Sequence, residues 1–275
     1  MKPVTADRIS LNTATVKAQW GLAECIEGAA RHGFGGISPW RDVLAEMGTT
    51  AAARAIRDAG LAVSGLCRGG WYTAEGALTQ AVMDDNRRAV DEAAELGAAC
   101  LVMVVGGLSE GSKDLPAARA IVAEGLARTL EHARGAGVPI AIEPLHPMYA
   151  ADRACVNTTA QALDLCDALG EGIGLALDAY HVWWDPELAA QIARAGRERL
   201  LAFHVCDWLV PTRDLLTDRG MMGDGVVDLK GFRGMVEAQG FEGLVEVEIF
   251  SARDWWARDA DEVLATVAAR CLEHC

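Results

Sequence analysis

Short, almost continuously apolar segments alternate eight times with longer, alanine-rich segments along this chain. Segments that are apolar at every position, rather than at every second one, are typical of parallel strands buried on both faces. The predicted strands lie at 8–12, 35–38, 62–67, 100–105, 138–143, 173–177, 200–206 and 244–250. The predicted helices lie at 20–32, 46–59, 77–97, 116–135, 157–169, 186–195, 229–239 and 258–273. Eight strand–helix units with no linker between them predict one (β/α)₈ TIM barrel, a single α/β domain over residues 1–275.

A doubly wound nucleotide-binding sheet is the alternative fold for such an alternation. That fold needs a glycine-rich turn directly after its first strand. The corresponding segment here is LNTATVKAQW, which contains no glycine. The barrel is therefore the predicted fold.

Charge and composition exclude several classes of partner. The chain has 25 Lys and Arg against 39 Asp and Glu, a formal net charge of −14, and such a surface repels nucleic-acid phosphates. No apolar run approaches the ~20 residues that a membrane-spanning helix needs, and the segment MKPVTADRIS has no apolar signal core. The eight cysteines form no CxxC pair. These features predict a cytoplasmic protein with reduced, buried thiols that binds neither membrane nor nucleic acid.

Polar side chains stand at the ends of four neighbouring predicted strands, the fifth to the eighth. In a TIM barrel the reactive side chains lie at the carboxyl ends of the strands, so these side chains would meet in one pocket. The candidates, in strand order, are Glu143, Asp178, His204 and Glu248. Converging carboxylates repel one another unless a cation binds between them. Glu246 points the same way as Glu248 along the strand and is predicted to lie deeper.

Three carboxylates and one imidazole form a donor set that suits hard divalent ions. Carboxylate oxygens favour Mg²⁺ and Mn²⁺, and an imidazole also suits Co²⁺. The sequence therefore predicts one divalent metal, Mn²⁺, Mg²⁺ or Co²⁺, held by these four residues in a catalytic rather than a structural site.

Five runs of sequence carry a resemblance to a known family: IEPLHP, LDAYHVWWD, FHVCDW, RGMMGDGVVDL and VEVEIFS. With these runs the chain resembles the xylose isomerase-like TIM barrels, a group of sugar phosphate isomerases and epimerases that includes inosose isomerase-like proteins and ketose 3-epimerases. The resemblance implies that Glu143, Asp178, His204 and Glu248 bind one divalent metal, usually manganese. It implies that Glu143 and Glu248, or a nearby base, move a proton beside the substrate carbonyl. It further implies that His181 and Arg219 contact substrate oxygens.

DNA repair is excluded although the apurinic-site endonucleases resemble the same barrel. Those enzymes surround three zinc ions with many histidines. This chain has six histidines in all, and its segment GDGVV lacks one where they place one.

Three further candidates lie on loops at the same end of the predicted barrel. His146, between two prolines, is a candidate base, or a loop histidine bonded to a backbone carbonyl. Arg68 follows the third strand and would bind a substrate carboxylate or phosphate, or pair with a loop acid. Trp183 and other loop tryptophans would stack on a sugar ring or an aglycone, or pack between loops. No cluster of Lys and Arg is visible in the sequence, so a phosphorylated substrate is not expected.

Three functions remain open from the sequence. The first is metal-dependent isomerisation or epimerisation of a keto sugar through an enediolate. The second is elimination from a 3-oxo-glycoside, which breaks a C- or O-glycosidic bond and fits the catalytic subunit of a hetero-oligomer with a small partner. The third is a non-catalytic sugar-binding or structural subunit. For the first, a homo-oligomer is expected.

Overall fold

The computed structural model describes residues 3–275, and its eight main strands form one parallel barrel. In chain order they are β1 (Ile9–Asn12), β2 (Gly36–Ser38), β3 in two parts (Ala62–Val63 and Leu66–Gly70), β4 (Leu101–Val104), β5 (Ile140–Ile142), β6 (Ile173–Asp178), β7 (Leu200–Val205) and β8 (Val245–Val247). Each strand pairs in parallel with its neighbours, and β8 pairs with β1. The predicted TIM barrel is confirmed.

The third strand departs from the prediction of one continuous element. Its first part pairs with β2 and its second part with β4, so the barrel closes through a break in this strand. An isolated bridge between Trp40 and Cys67 links β2 to the second part. Because each part pairs with one neighbour, the two parts together occupy the position of one strand in the closed barrel.

The helices surround the barrel. They are α1 (Leu22–Arg31), α2 (Arg41–Met47), α3 (Thr49–Asp58), α4 (Gln80–Leu96), α5 (Leu115–Ala136), α6 (Thr159–Leu169), α7 (Ala179–Val182), α8 (Leu188–Arg199), α9 (Leu229–Ala238) and α10 (Ala260–His274). The single helix predicted over 46–59 is wrong in detail, because Gly48 has a φ of 85° and separates α2 from α3. Within the described residues no helix is long and apolar enough to cross a membrane. All eight cysteines are buried and free, as predicted.

The strand register sets the level of the polar side chains inside the barrel. Asp178 pairs with His204, and His204 pairs with Glu246, so these three lie at one level of β6, β7 and β8. Glu143 comes directly after the last residue of β5, and Glu248 directly after the last residue of β8. A two-stranded antiparallel ribbon, Asp207–Trp208 with Arg219–Gly220, follows β7 and brings Arg219 over the same end.

Candidate metal centre and substrate cavity

The four predicted ligands meet at the carboxyl end of the barrel. Each offers one donor atom, and the donor atoms of Glu143, Asp178, His204 and Glu248 all lie within 4.8 Å of one another. All four side chains are buried. Three carboxylates and an imidazole at this spacing can surround a single cation.

Two of these side chains have buried atoms without a hydrogen-bond partner. Oε1 of Glu143 and both ring nitrogens of His204 are in this state, and Oε1 of Glu143 lies 3.3 Å from Nδ1 of His204. Buried polar atoms are almost always satisfied, so unpartnered ones at a shared point need an explanation. A cation bound between Oε1 of Glu143 and Nδ1 of His204 supplies the missing partner of both atoms, and the residues present therefore fit a divalent metal.

The electrostatics of the cluster also favour a cation. Burial lowers the pKa of His204, but the carboxylates of Glu246 and Glu143 outweigh burial and raise it to about 10. Burial, assisted by the negative charge of Glu143, raises the pKa of Glu248 to about 8, although Arg219 acts in the opposite direction. Both shifts report a surplus of negative charge in a site that excludes water.

Arg219 is the one cation in direct contact with these ligands among the described residues. Its Nη1 lies 2.7 Å from Oδ2 of Asp178 and 3.0 Å from Oε2 of Glu248. The guanidinium is held between the rings of Tyr180 and Phe250, with its Cζ 4.5 and 4.9 Å from their centroids. Burial raises the pKa of Asp178, but Arg219, together with His181, His204 and the backbone N–H of Tyr180, keeps it below its ordinary value.

Glu246 lies beneath the cluster, at the depth that the sequence predicts. Its Oε1 accepts a hydrogen bond of 2.7 Å from Asn12 and lies 3.5 Å from Nε2 of His204. Its Oε2 accepts a 2.7 Å bond from the Ser64 hydroxyl. Asn12 also donates to Oε1 of Glu248 at 3.0 Å, so one amide orients both glutamates of β8.

A cavity of about 170 Å³ opens above the cluster. Its lining combines acids, cations and aromatic rings: Lys17, Trp40, Cys67, Arg68, Val104, Glu143, Leu145, Tyr149, Arg153, His181, Leu216, Arg219, Glu248 and Phe250. This volume suits a molecule of monosaccharide size. Of the carboxylates in the cluster, Glu143 and Glu248 are the two that also line the cavity.

The structure divides the other predicted residues into two groups. His181, Arg219 and Arg68 line the cavity, whereas His146 and Trp183 are not among its lining residues. The His146 ring stacks on Trp208 at a centroid distance of 5.0 Å, and its Nδ1 accepts a hydrogen bond from the backbone N–H of Met148. Trp183 packs against the same Trp208 ring at 5.7 Å. These rings pack on one another between loops.

His181 is a neutral ring at the cavity wall. Burial lowers its pKa to about 3, with Asp178 opposing and Arg219 adding to the shift. Its Nδ1 accepts a hydrogen bond of 3.3 Å from the backbone N–H of His146. Its Nε2 lies 3.3 Å from Nη2 of Arg219 and 3.7 Å from Oδ2 of Asp178.

Several residues of the site, among them Asn12, Lys17, Tyr149 and Arg153, are absent from the sequence prediction. Asn12 is the last residue of β1, and the rule that was applied to the ends of the last four strands would also have identified it at the end of the first strand. Lys17, Tyr149 and Arg153 lie on loops after β1 and β5, and no local pattern marks them. Only the closure of the barrel brings these loops together.

The chain has relatives among known proteins. The family model described as "Xylose isomerase-like TIM barrel" matches residues 26–269. The crystal structure of protein SMc04130 from Sinorhizobium meliloti 1021 is 60% identical, with 98% of this chain and 99% of that chain covered and a TM-score of 0.96. The IOLI protein with a binding zinc atom is 19% identical over 97% of both chains, with a TM-score of 0.82. D-allulose 3-epimerase from Methylomonas sp. is 20% identical over 100% of both chains, with a TM-score of 0.79. No protein with a curated description matches the chain.

Proposed function

The chain belongs to the xylose isomerase-like TIM barrel family, and we propose that it is a divalent-metal-dependent enzyme that removes a proton next to the carbonyl of a keto sugar or sugar derivative and returns it to form an isomer or epimer. The observation that carries this proposal is the cluster of Glu143, Asp178, His204 and Glu248 at the floor of a small cavity. The epimerase among the structural relatives supports the same class of reaction.

Glu143, Asp178, His204 and Glu248 would hold the metal. We propose Mn²⁺, with Mg²⁺ or Co²⁺ as alternatives, because oxygen donors predominate. A bound divalent ion supplies Lewis acidity, which stabilises the negative charge that develops on a substrate oxygen as a neighbouring C–H proton leaves.

The proton transfer is assigned to the two glutamates that face the cavity. Glu143 follows β5 and lines the cavity, so its carboxylate lies beside a substrate bound there. Glu248 follows β8 and is fixed by Asn12 on one oxygen and by Arg219 on the other. Carboxylates from two different strands can approach one carbon from two sides, as an epimerisation requires.

His181 and Arg219 are proposed to orient the substrate oxygens. Both line the cavity and both contact Asp178, so they connect the substrate to the cluster. Arg219 cannot lose its proton at neutral pH and acts as a fixed donor. His181 stays neutral and neither adds charge nor competes for the proton.

The packing of two residues predicted from the sequence favours isomerisation over the elimination of an aglycone. Trp183 and His146, which would serve the elimination, pack against Trp208. Elimination and a partner subunit are therefore outcomes of the test and not part of the proposal.

The test is proton NMR in D₂O with the purified, Mn²⁺-loaded chain and a panel of ketoses, inososes and 3-oxo-glycosides. We expect deuterium to enter a carbon beside the carbonyl and an isomer to form. Glu143→Gln should abolish exchange with the fold retained, and the exposed Glu27→Gln on α1 is the matched control that should exchange normally. Release of an aglycone would replace the proposal with the elimination, and no exchange of any compound would overturn it.

A further inference from the structure

Three cations at the cavity have no acidic partner. Lys17, Arg68 and Arg153 all line it, and within residues 3–275 none of them forms an ion pair or donates a hydrogen bond to a carboxylate. The cavity therefore carries positive charge that the protein leaves uncompensated.

Aromatic rings hold each of these cations in place. Nζ of Lys17 lies 4.6 Å from the Trp256 centroid and 5.1 Å from that of Phe250. The Arg68 guanidinium lies 4.5 Å from the Trp71 ring. Arg153 lies 5.7 Å from the Tyr149 ring. A ring orients a cation without neutralising it, so the N–H groups remain available to a ligand.

The two arginines repel each other across the cavity. The pKa of Arg68 lies below its ordinary value, first because the guanidinium is largely buried and further because Arg153 and Arg41 carry like charge nearby. Arg41 is itself paired with Asp85 and Glu92, and the Asp42 carboxylate offsets part of the shift on Arg68, so Arg153 is the cation that acts on Arg68 without an ion pair of its own. Like charges held together in a partly buried site indicate a place for an anion.

The acids of the metal centre do not neutralise these three cations. The negative charge of the three ligand carboxylates is already balanced by the positive charges of Arg219 and a divalent ion. His181 and a metal-bound His204 are neutral. Glu246 adds one negative charge below the cluster, where Asn12 and Ser64 bind it, so the acids of the metal centre offset at most one of the three cations Lys17, Arg68 and Arg153.

We infer that the substrate is an anionic keto sugar derivative, whose carboxylate or phosphate group binds to Arg68, Arg153 and Lys17 while its carbonyl end faces Glu143 and Glu248. Arg68 lies in the second part of β3, whereas Lys17 and Arg153 lie on the segments after β1 and β5, so these basic residues come together only in the folded protein. The expectation against a phosphate therefore loses its basis. The carbonyl half of this inference rests on the proposed function, whereas the anion site stands independently of it.

The first experiment measures anion binding without any reaction. Isothermal titration calorimetry of the full chain, dialysed free of metal, uses inorganic phosphate and D-gluconate as probes at constant ionic strength. We expect at least one probe to bind, and Arg68→Gln or Arg153→Gln to weaken it roughly tenfold or more, as for the loss of a hydrogen bond to a charged group. Arg57→Gln, an exposed change on α3 with the same loss of charge, should leave binding unchanged. Equal binding by all four proteins, or no binding of either probe, overturns the anion site.

The second experiment separates this inference from the proposed function. Deuterium exchange by the Mn²⁺-loaded chain is compared for D-fructose, D-fructose 6-phosphate and 5-oxo-D-gluconate, so that the three arms distinguish neutral, phosphate and carboxylate substrates. We expect one anionic compound to have a kcat/KM roughly tenfold or more above that of D-fructose, and Arg153→Gln to remove that preference through KM. The preference should also decrease with added salt. If D-fructose is turned over as well as the two anionic compounds, the inference is overturned and the proposed function stands. If the anions bind in the first experiment but no compound exchanges, the proposed function is overturned and the anion site stands.

Discussion

The carboxylate of Glu246 lies 3.5 Å from Nε2 of His204, on the opposite side of the imidazole from Glu143, which lies 3.3 Å from Nδ1. A carboxylate behind a histidine fixes the ring orientation and places the ring proton on the nitrogen that it faces. The other nitrogen, Nδ1, is then free of a proton and directed at the ligand cluster. Glu246 thus orients the histidine without joining the ligands.

The first prediction concerns this glutamate. Glu246→Gln keeps the hydrogen bonds of Asn12 and Ser64 within reach of an amide but removes the charge behind His204. We expect the affinity for Mn²⁺ to decrease by about 10- to 100-fold, as for the loss of other carboxylates behind ligating histidines. Calorimetric titration with Mn²⁺ measures the change. Glu237→Gln on α9, outside the cluster, is the control, and an unchanged affinity of the Glu246 variant would contradict the orienting role.

The second prediction concerns Arg219 and the metal together. Arg219→Met leaves the buried carboxylates of Asp178 and Glu248 without the cation that contacts both. We expect the metal-free variant to lose about 3–5 kcal/mol of unfolding free energy, as when one partner of a buried ion pair is removed. Mn²⁺ should then raise the Tm of the variant more than that of the wild type, because the ion replaces part of the lost charge. Equal shifts of Tm in the two proteins would contradict the idea that Arg219 and the metal neutralise the same carboxylates.

The barrel was predictable because its signal is local and repeated eight times. Strands buried on both faces must be apolar throughout, and this pattern is visible without any knowledge of pairing. The break in β3 lies at Ser64 and Gly65, which interrupt the apolar segment 62–67, but the different neighbour that each part pairs with is set by the closure of the barrel. Gly48 between α2 and α3 is visible in the sequence, but its φ of 85° is set by the packing of two short helices.

The ligand cluster was predictable for a similar reason. In a parallel barrel all strands end on one face, so a polar residue at a strand end can be assigned to that face from the sequence alone. Lys17 and Arg153 lie on loops whose paths depend on the whole fold, and no rule of spacing places them. His146 was a plausible base from its position beside Pro147, but the structure stacks its ring on Trp208 instead of along the cavity.

The third prediction concerns pH and the segment 209–218, which follows the ribbon strand at Asp207–Trp208. Burial would raise the pKa of Asp218, but hydrogen bonds from the side chain and backbone N–H of Arg213 lower it below its ordinary value. A carboxyl group whose pKa is lower in the folded protein stabilises the fold fully above the unfolded value of about 3.9. That stabilisation is lost as the pH falls through the lowered pKa.

Urea unfolding between pH 6 and pH 3 tests this contribution. We expect Asp218→Asn to be less stable than the wild type at pH 6, and the difference between the two to shrink towards pH 3 as the Asp218 carboxylate of the unfolded wild type takes up a proton. Asp7→Asn, an exposed change near the start of β1, is the control for the loss of one charge. A difference that stays constant with pH would assign the stability to packing and not to the ion pair.

The last prediction concerns two hydroxyls that donate to one carbonyl. Tyr149 and Tyr180 both donate to the backbone oxygen of Leu215, which precedes the cavity residue Leu216. Burial raises the pKa of Tyr149 to about 12, so its hydroxyl keeps its proton and remains a donor at neutral pH. Because either donor satisfies the carbonyl alone, we expect Tyr149→Phe and Tyr180→Phe each to raise KM by about twofold or less, and the double variant to raise it roughly tenfold, a coupling of the size seen for groups in one hydrogen-bond network. Tyr72→Phe, which removes a buried hydroxyl bonded to Thr129, is the matched control and should leave KM unchanged. Additive effects of the two single changes would show that Leu215 is held by other contacts and that the two tyrosines act separately.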